Sequence, residues 1–273
     1  MLRFETEDGW WLVTHPDHAR LAGDFSAVWG NALFAAPEPR EHVLRGIHAH
    51  DDGWAMRDRK PVVTREGKPA AFSTELVGAY SAFEEIDLEQ YLAVRRGAVQ
   101  LMADEDAYAA ILISMHTYNL LSERADRRTI RAEQLPLLDT FLEEQLELQW
   151  RLQKQLVGEG ELLPEWITWD ALKDNFRLLQ ATDNLSLLSC VDYAGRATLL
   201  HPLRKVDGAA QEIVVAHTGV RSFRLTPYPF ATDEVTFELK ARFVPGPRFT
   251  SSEQLQALFD ASAPVLLRVT IHA

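Results

Sequence analysis

Histidines and aspartates recur inside the apolar helical patterns of this chain. His18 falls in the first turn of a helix predicted to begin near Pro16, and the doublet His50-Asp51 closes the helical pattern that begins near position 39. Asp183 lies among leucines on the last long helical segment. Imidazole and carboxylate groups are the usual protein ligands of Zn, Fe, Mn and Ni, and residues on separate helices can converge on one interior site. The sequence therefore predicts a divalent metal site.

His116 is a further candidate ligand, because it lies on a long apolar helical segment between the doublet and Asp183. Structural alternatives remain open at each position. His50 can interact with a helix C-terminus while Asp51 starts a turn, and His116 can be a core histidine bound to a carbonyl group. A buried aspartate such as Asp183 needs an ion pair, a metal or a solvated face, because an unpaired buried charge costs several kcal/mol.

Other polar residues near these positions are candidates for supporting roles. Asp51 and Asp52 are the candidate catalytic carboxylates, and Glu123 lies seven residues after His116 on nearly the same helical face. His15 and His48 are weaker candidates as ligands. His15 precedes a proline, and a residue two positions before His50 points about 200° away from it around a helix.

The patterns around these residues predict a mainly helical fold. Helical periodicity covers residues 16–29, 39–54, 87–103, 105–123, 132–157 and 166–190. Alternating β-branched stretches follow at 213–216, 222–225, 235–243 and 265–271, and an Asp8-Gly9 turn predicts a hairpin at the N-terminus. We expect one domain over 1–273, in which a helical bundle at 14–192 carries an appended antiparallel sheet at 193–273 that the hairpin can join.

Composition and charge narrow the classes of partner. The net charge of −12 disfavours nucleic acid, and no apolar run approaches the roughly 20 residues that a membrane span requires. The N-terminal segment lacks the pattern of a secretory signal, and Cys190 is the single cysteine. We expect a cytoplasmic protein that acts on a small molecule, and the sequence leaves the oligomeric state open.

Three segments in order resemble the HD-domain superfamily of metal-dependent phosphohydrolases, over roughly residues 15–192. They are His18-Ala-Arg-Leu-Ala, Ala49-His50-Asp51-Asp52-Gly53 and Ala181-Thr-Asp183-Asn-Leu. The resemblance implies an HD-like helical bundle in which His18, His50, Asp51 and Asp183 hold one metal. Binuclear members have additional histidines where His116 lies, but they commonly have two. Cations available to bind phosphate are Arg20, Arg57, Arg59, Lys60, Arg124 and Lys173.

A second resemblance spans the chain. The segments Trp11-Leu-Val-Thr-His-Pro-Asp-His-Ala, His50-Asp-Asp-Gly-Trp54 and Pro227-Tyr-Pro-Phe230 are similar to an uncharacterised bacterial family, number 3891 among the domains of unknown function. This second resemblance supplies no established activity. The function expected from the resemblance to the HD superfamily is hydrolysis of a small phosphate-containing substrate by water activated on Fe, Mn, Zn or Ni. The alternatives are an iron-dependent oxygenase of the HD type and a non-enzymatic protein that binds a ligand or a partner.

Overall fold

The computed structural model describes residues 1–74, 77 and 87–273. Its helices are α1 (His15–Ala27), α2 (Arg40–Ala49), α3 (Ala55–Asp58), α4 (Leu88–Glu105), α5 (Ala107–Asn119), α6 (Leu135–Glu159), α7 (Trp169–Cys190) and α8 (Ser252–Ala261). Its strands are β1 (Leu2–Glu5), β2 (Gly9–Val13), β3 (Arg196–Thr198), β4 (Leu203–Arg204), β5 (Ala210–Gln211), β6 (Val214–Gly219), β7 (Ser222–Thr226), β8 (Glu234–Pro245) and β9 (Pro264–His272).

A seven-stranded sheet is the largest difference from the predicted fold. Its order is β1-β2-β8-β9-β7-β6-β3, and β7 and β9 are its parallel pair. Strand β2 pairs with β8, so that Trp11 lies opposite Phe243. The predicted HD-like helical bundle with an appended C-terminal sheet is therefore wrong: the sheet is large and curled and includes the N-terminal strands. Of the described residues, 51% are helical and 21% lie in strands. Local alternation predicts a strand, but it does not identify a pairing partner so distant in the sequence.

Helix α1 lies between the sheet and the other helices. It packs against α2, α7 and β8, and the ring of Phe25 meets that of Phe237 edge to face at 4.7 Å. Thr14 caps the helix, since its hydroxyl accepts a hydrogen bond from the backbone N–H of Asp17. This cap fixes the start of the helix and places His18 on its buried face.

Helix α5 is the central helix, and it is apolar on nearly all sides. It packs against α2, α4, α6 and α7, and Asp106 caps its first turn. A helix that is hydrophobic all round is one that neighbouring elements bury. A polar residue on α5, such as His116, is consequently held inside the molecule.

The predicted helices and strands correspond to described ones except at their ends, but the sequence patterns did not predict α3, α8, β3, β4 and β5. Helix α8 was not predicted, although Ser251 caps it and Leu255 and Phe259 lie on one buried face. None of the helices in the described part of the chain is long and apolar enough to cross a membrane.

Candidate metal centre

The predicted ligand residues converge in the interior from four helical segments. His18 comes from α1, His50 and Asp51 from the end of α2, His116 from α5 and Asp183 from α7. Their ligand atoms form two groups, and within each group all of them lie within 4.8 Å of one another: His18, His50 and Asp51, and His50, His116 and Asp183. All five side chains are buried. The two groups share His50.

His50 presents one ring nitrogen to this cluster. Its Nδ1 lies 2.7 Å from the backbone carbonyl of Ile47 and donates its hydrogen there. In neutral imidazole this leaves Nε2 with a lone pair, and Nε2 is buried without a hydrogen-bond partner among the described residues. The nearest charged atom is Oδ1 of Asp183, 3.4 Å away. Nε2 of His50 and Oδ1 of Asp183 are therefore two hydrogen-bond acceptors that face each other, and this arrangement needs a proton or a cation between them.

His18 repeats this arrangement. Its Nδ1 lies 2.9 Å from Oγ of Ser186, and that hydroxyl donates its hydrogen to the backbone carbonyl of Asp183 at 2.8 Å. The hydroxyl therefore accepts from Nδ1 of His18, and the lone pair of Nε2 points to Oδ2 of Asp51 at 3.0 Å. Orientation of a histidine through its other ring nitrogen is what metal ligands usually show.

Arg95 on α4 orients the other oxygen of Asp51. Its guanidinium group pairs with Oδ1 of Asp51, and both side chains are 7% exposed. The same group lies over the rings of Trp54 and Tyr91, at 5.2 and 5.4 Å. Burial alone would raise the pKa of Asp51, but the charge of Arg95 and the adjacent His18 outweigh this effect, and the pKa of Asp51 is well below its usual value. Asp51 is thus ionised, with Oδ2 left to face His18.

Arg95 was not among the predicted site residues, although the sequence contains a signal for it. It lies on the buried stripe of α4, with Tyr91 four residues before it and Val99 four residues after it. An arginine on the apolar face of an amphipathic helix needs a buried anion. The position of Arg95 on the apolar face of α4 is therefore the sequence signal for its role.

The protonation of His50 depends on its two neighbouring carboxylates. Burial lowers the pKa of His50, but Asp183 and Asp51 outweigh this effect and raise the pKa above its ordinary value. Burial raises the pKa of Asp183, but the adjacent His50 reverses the shift, and the pKa of Asp183 is lowered. Without a cation, the pair is therefore held together by a proton on His50.

His116 differs from the other two histidines. Its Nδ1 accepts a hydrogen bond from the Gln180 side-chain amide at 2.7 Å, and its ring centroid lies 5.0 Å from that of His50. Burial, followed by the charge of His50, lowers the pKa of His116 to about 3. The amide Oε1 of Gln180 is buried without a partner among the described residues. A half-turn of that amide would let Oε1 accept from Nδ1 of His116 and leave Nε2 unprotonated, as a ligand requires.

Asp52 lies outside the cluster, although it follows Asp51 directly. Its side chain is 48% exposed, and Oδ1 lies 3.9 Å from the guanidinium group of Arg20. Burial raises the pKa of Asp52, while Arg20 opposes the rise. The carboxylate therefore points towards solvent on the outer side of the doublet.

The weaker candidates have other partners. His15 lies between the amino group of Met1 and Asp58, at 2.7 and 3.0 Å, while His48 bonds to the carbonyl of Leu44 and to Asp24. Glu123 accepts a hydrogen bond from Asn119 near the surface.

The six cations that were predicted to bind phosphate lie elsewhere. Among the described residues, the cation that pairs with a ligand of the cluster is Arg95, which contacts Asp51. Arg59, Lys60 and Lys173 are exposed, Arg20 pairs with Asp52, and Arg57 and Arg124 are half-buried.

The model of a family described as a protein of unknown function, DUF3891, matches residues 1–246. No curated protein and no solved structure matches the chain.

Proposed function

We propose that this chain, which belongs to the DUF3891 family, is a hydrolase that uses one divalent metal ion to cleave a small phosphate-containing substrate. The observation that carries the proposal is the pair of imidazole nitrogens facing carboxylate oxygens. Nε2 of His50 faces Asp183 at 3.4 Å, and Nε2 of His18 faces Asp51 at 3.0 Å. Both histidines use Nδ1 as a donor, so both Nε2 atoms have lone pairs directed into the cluster.

The residues present fit a single divalent ion. His50 has one nitrogen to offer, because Ile47 holds the other. The two groups of ligands that share His50 are therefore alternative descriptions of one site, with His18, Asp51, His116 and Asp183 around it. With neutral imidazoles, the two carboxylates and the Arg95 guanidinium group sum to one negative charge, which favours a cation in the cluster.

The order of these residues adds support. His18, the His50-Asp51 doublet and Asp183 resemble the ligand set of the HD superfamily, and here they lie together in space. The resemblance concerns the site and its chemistry.

Each residue would have a defined task. His18 and His50 would bind the ion through Nε2, and Ser186 and Ile47 keep these rings in the required tautomer. Asp51 would bind through Oδ2 while Arg95 holds Oδ1. A bound divalent ion lowers the pKa of a coordinated water to about 7 and so supplies a nucleophile at neutral pH.

The side chains of the cluster are all buried: those of Asp51, Asp183 and Arg95 are 7% exposed, and those of His18 and His50 are 1% and 0% exposed. The exclusion of bulk water would strengthen the attraction of a bound cation and of Arg95 for an anionic substrate group.

One observation favours a second candidate, an iron-dependent oxygenase. His116 brings a third imidazole to within ligand distance of His50 and Asp183. Imidazoles combined with carboxylates also suit non-haem Fe(II). The two candidates differ in their requirement for dioxygen and in the range of metals that support activity.

Metal content is the first test. Protein purified without an affinity tag is analysed by inductively coupled plasma mass spectrometry, as wild type and as the double variant His50→Ala, Asp51→Ala. The matched control is Asp52→Asn, because Asp52 is the adjacent exposed carboxylate. We expect near-stoichiometric Fe, Mn, Zn or Ni in the wild type and the control, and its loss in the double variant. A wild type that stays empty after incubation with each metal would overturn the proposal.

Turnover is the second test. Small phosphomonoesters and phosphodiesters are incubated with the protein loaded with Mn, Zn, Ni or Fe, and released phosphate or alcohol is measured with and without oxygen. Hydrolysis that needs a metal but no oxygen supports the proposal. Activity that appears with iron and oxygen alone supports the oxygenase. A metal-loaded protein with neither activity would overturn both enzymatic candidates and would favour a protein that binds a ligand or a partner.

A further inference from the structure

The outer face of α6 carries an apolar edge that the described residues leave uncovered. Leu146, Trp150 and Val157 are 42%, 56% and 61% exposed, and they follow one another at helical spacing. The ring of Trp150 rests against Trp169 of α7, with centroids 5.8 Å apart. Apolar residues exposed singly are ordinary, but several on one face of a helix, with a tryptophan among them, are typical of an interaction surface.

Charged residues run beside this apolar edge in a fixed order. Glu143 and Glu147 occupy the N-terminal half of the face, and Arg151 and Lys154 occupy the C-terminal half. Within the part of the chain that the structure describes, none of these four forms an ion pair. Lys154 instead lies over the ring of Trp150, at 5.8 Å. The face is therefore acidic at one end, basic at the other and apolar along one side.

We propose that a second copy of this chain covers this face, with the two α6 helices antiparallel. A two-fold axis between Trp150 and Arg151 brings the two Trp150 rings together at the centre. It also places Glu147 opposite Lys154 of the second copy, and Lys154 opposite Glu147 of the second copy. An isologous interface makes every contact twice, so the acidic and basic halves neutralise each other in both directions.

The same charge order disfavours other occupants. A nucleic acid or an acidic peptide would meet Glu143 and Glu147 as well as the basic residues. The net charge of −12 makes two copies repel each other at long range, so association needs a local match of this kind. A helix of 25 residues is about 37 Å long, which gives α6 enough length to form the centre of a standard interface. The surface does not involve the metal ligands, and the inference is independent of the proposed function.

Sedimentation equilibrium across micromolar to submillimolar concentrations tests this inference. We expect the wild type to be a dimer, and Trp150→Glu to weaken the dimer at least about tenfold, because a central tryptophan typically dominates an interface. The control is Val220→Glu, which introduces the same charge at a position 79% exposed on the β6–β7 turn. Far-UV circular dichroism verifies that all variants are folded.

A charge swap makes the test specific for the antiparallel arrangement. Glu147→Lys alone and Lys154→Glu alone each place like charges opposite one another twice, and each is expected to weaken the dimer about tenfold. The double variant exchanges the two charges and is expected to return the dissociation constant to within about threefold of the wild type. A monomeric wild type, a loss equal to that of Val220→Glu, or a double variant as weak as the singles would overturn the inference.

Discussion

Nε2 of His50 lies 3.4 Å from Oδ1 of Asp183, while Nδ1 of the same ring is held by the carbonyl of Ile47. His50 and Asp183 can therefore be in contact in two states. In the first state a proton on Nε2 of His50 forms a hydrogen bond to the Asp183 carboxylate, and in the second state a metal ion takes the place of that proton. The pKa of His50 is raised above its usual value, because both nearby carboxylates outweigh the effect of burial. Proton and metal therefore compete for the same nitrogen.

Metal affinity should consequently depend on pH. Below the raised pKa of His50 each metal bound displaces one proton, so the apparent affinity is expected to rise about tenfold per pH unit and to level off above that pKa. Calorimetric titration with Mn²⁺ in buffers of different ionisation enthalpy measures both the affinity and the protons released. Asp52→Asn should keep the same slope. An affinity that is independent of pH from 6 upwards would contradict this account.

His116 should make the metal-free protein sensitive to acid. Its pKa is lowered to about 3, so its contribution to the free energy of unfolding is fully present above the ordinary value of 6.5 and is lost as the pH falls towards 3. His50 has a raised pKa, so its contribution has the opposite sign: it is present below 6.5 and lost as the pH rises through the raised value.

The variant His116→Gln isolates the first of these effects. Urea unfolding in the presence of a chelator is measured between pH 6.5 and pH 5, above the ordinary pKa values of aspartate and glutamate. We expect the wild type to lose about 1–2 kcal/mol more over this range than the variant. Parallel pH curves for the two proteins would show that His116 is not the group responsible.

Arg95 should act as a positioning residue for Asp51. Replacing it by Gln removes the cation that holds Oδ1 of Asp51, and loss of such an outer partner typically lowers metal affinity about 10- to 100-fold. The pKa of Asp51 should rise at the same time, because Arg95 is the main group lowering it. The dissociation constant of Mn²⁺ between pH 5 and pH 8 would reveal both effects.

The neighbouring arginine provides a matched control. Arg96 pairs with Glu144 at the surface, where both side chains are 46% exposed. Arg96→Gln should leave metal affinity unchanged, and Arg95→Lys should restore part of it because the charge is retained. Equal losses in Arg95→Gln and Arg96→Gln would indicate a general effect of charge and not a contact with Asp51.

The sequence contained more information about the candidate site than about the sheet. Helical periodicity placed His18, His116 and Asp183 on separate buried helices, and their types indicated a shared site. The signals are local, because each depends on the residues of one helix. The pairing of Trp11 with Phe243 joins opposite ends of the chain, and no local pattern specifies it.

The sequence also did not predict the directions in which individual side chains point. Asp51 and Asp52 are adjacent and chemically identical, yet one is buried against His18 and Arg95 and the other is half exposed beside Arg20. The difference arises where α2 ends and a short 3₁₀ helix begins at Asp52, which turns successive side chains in different directions. The residue types that bind metals do not include arginine, so they do not point to Arg95; its place on the apolar face of α4 does.

The packing of α2 on α5 should control the geometry of the site, because these helices carry His50 and His116. Gly46 of α2 faces Ala109 of α5 so closely that an added Cβ would lie 3.2 Å from the Cα and from the carbonyl oxygen of Ala109. Gly46→Ala is therefore expected to push the helices apart, to cost about 1–3 kcal/mol of stability and to weaken metal binding.

Gly97 of α4 is the matched control, because a Cβ there would meet no atom within 4 Å. Gly97→Ala should stabilise the protein by about 0.5–1 kcal/mol, since alanine loses less conformational entropy in a helix than glycine does. Urea unfolding and Mn²⁺ titration of both variants test the comparison. If Gly46→Ala kept wild-type stability and wild-type affinity, the separation of α2 from α5 would not determine how His50 and His116 meet.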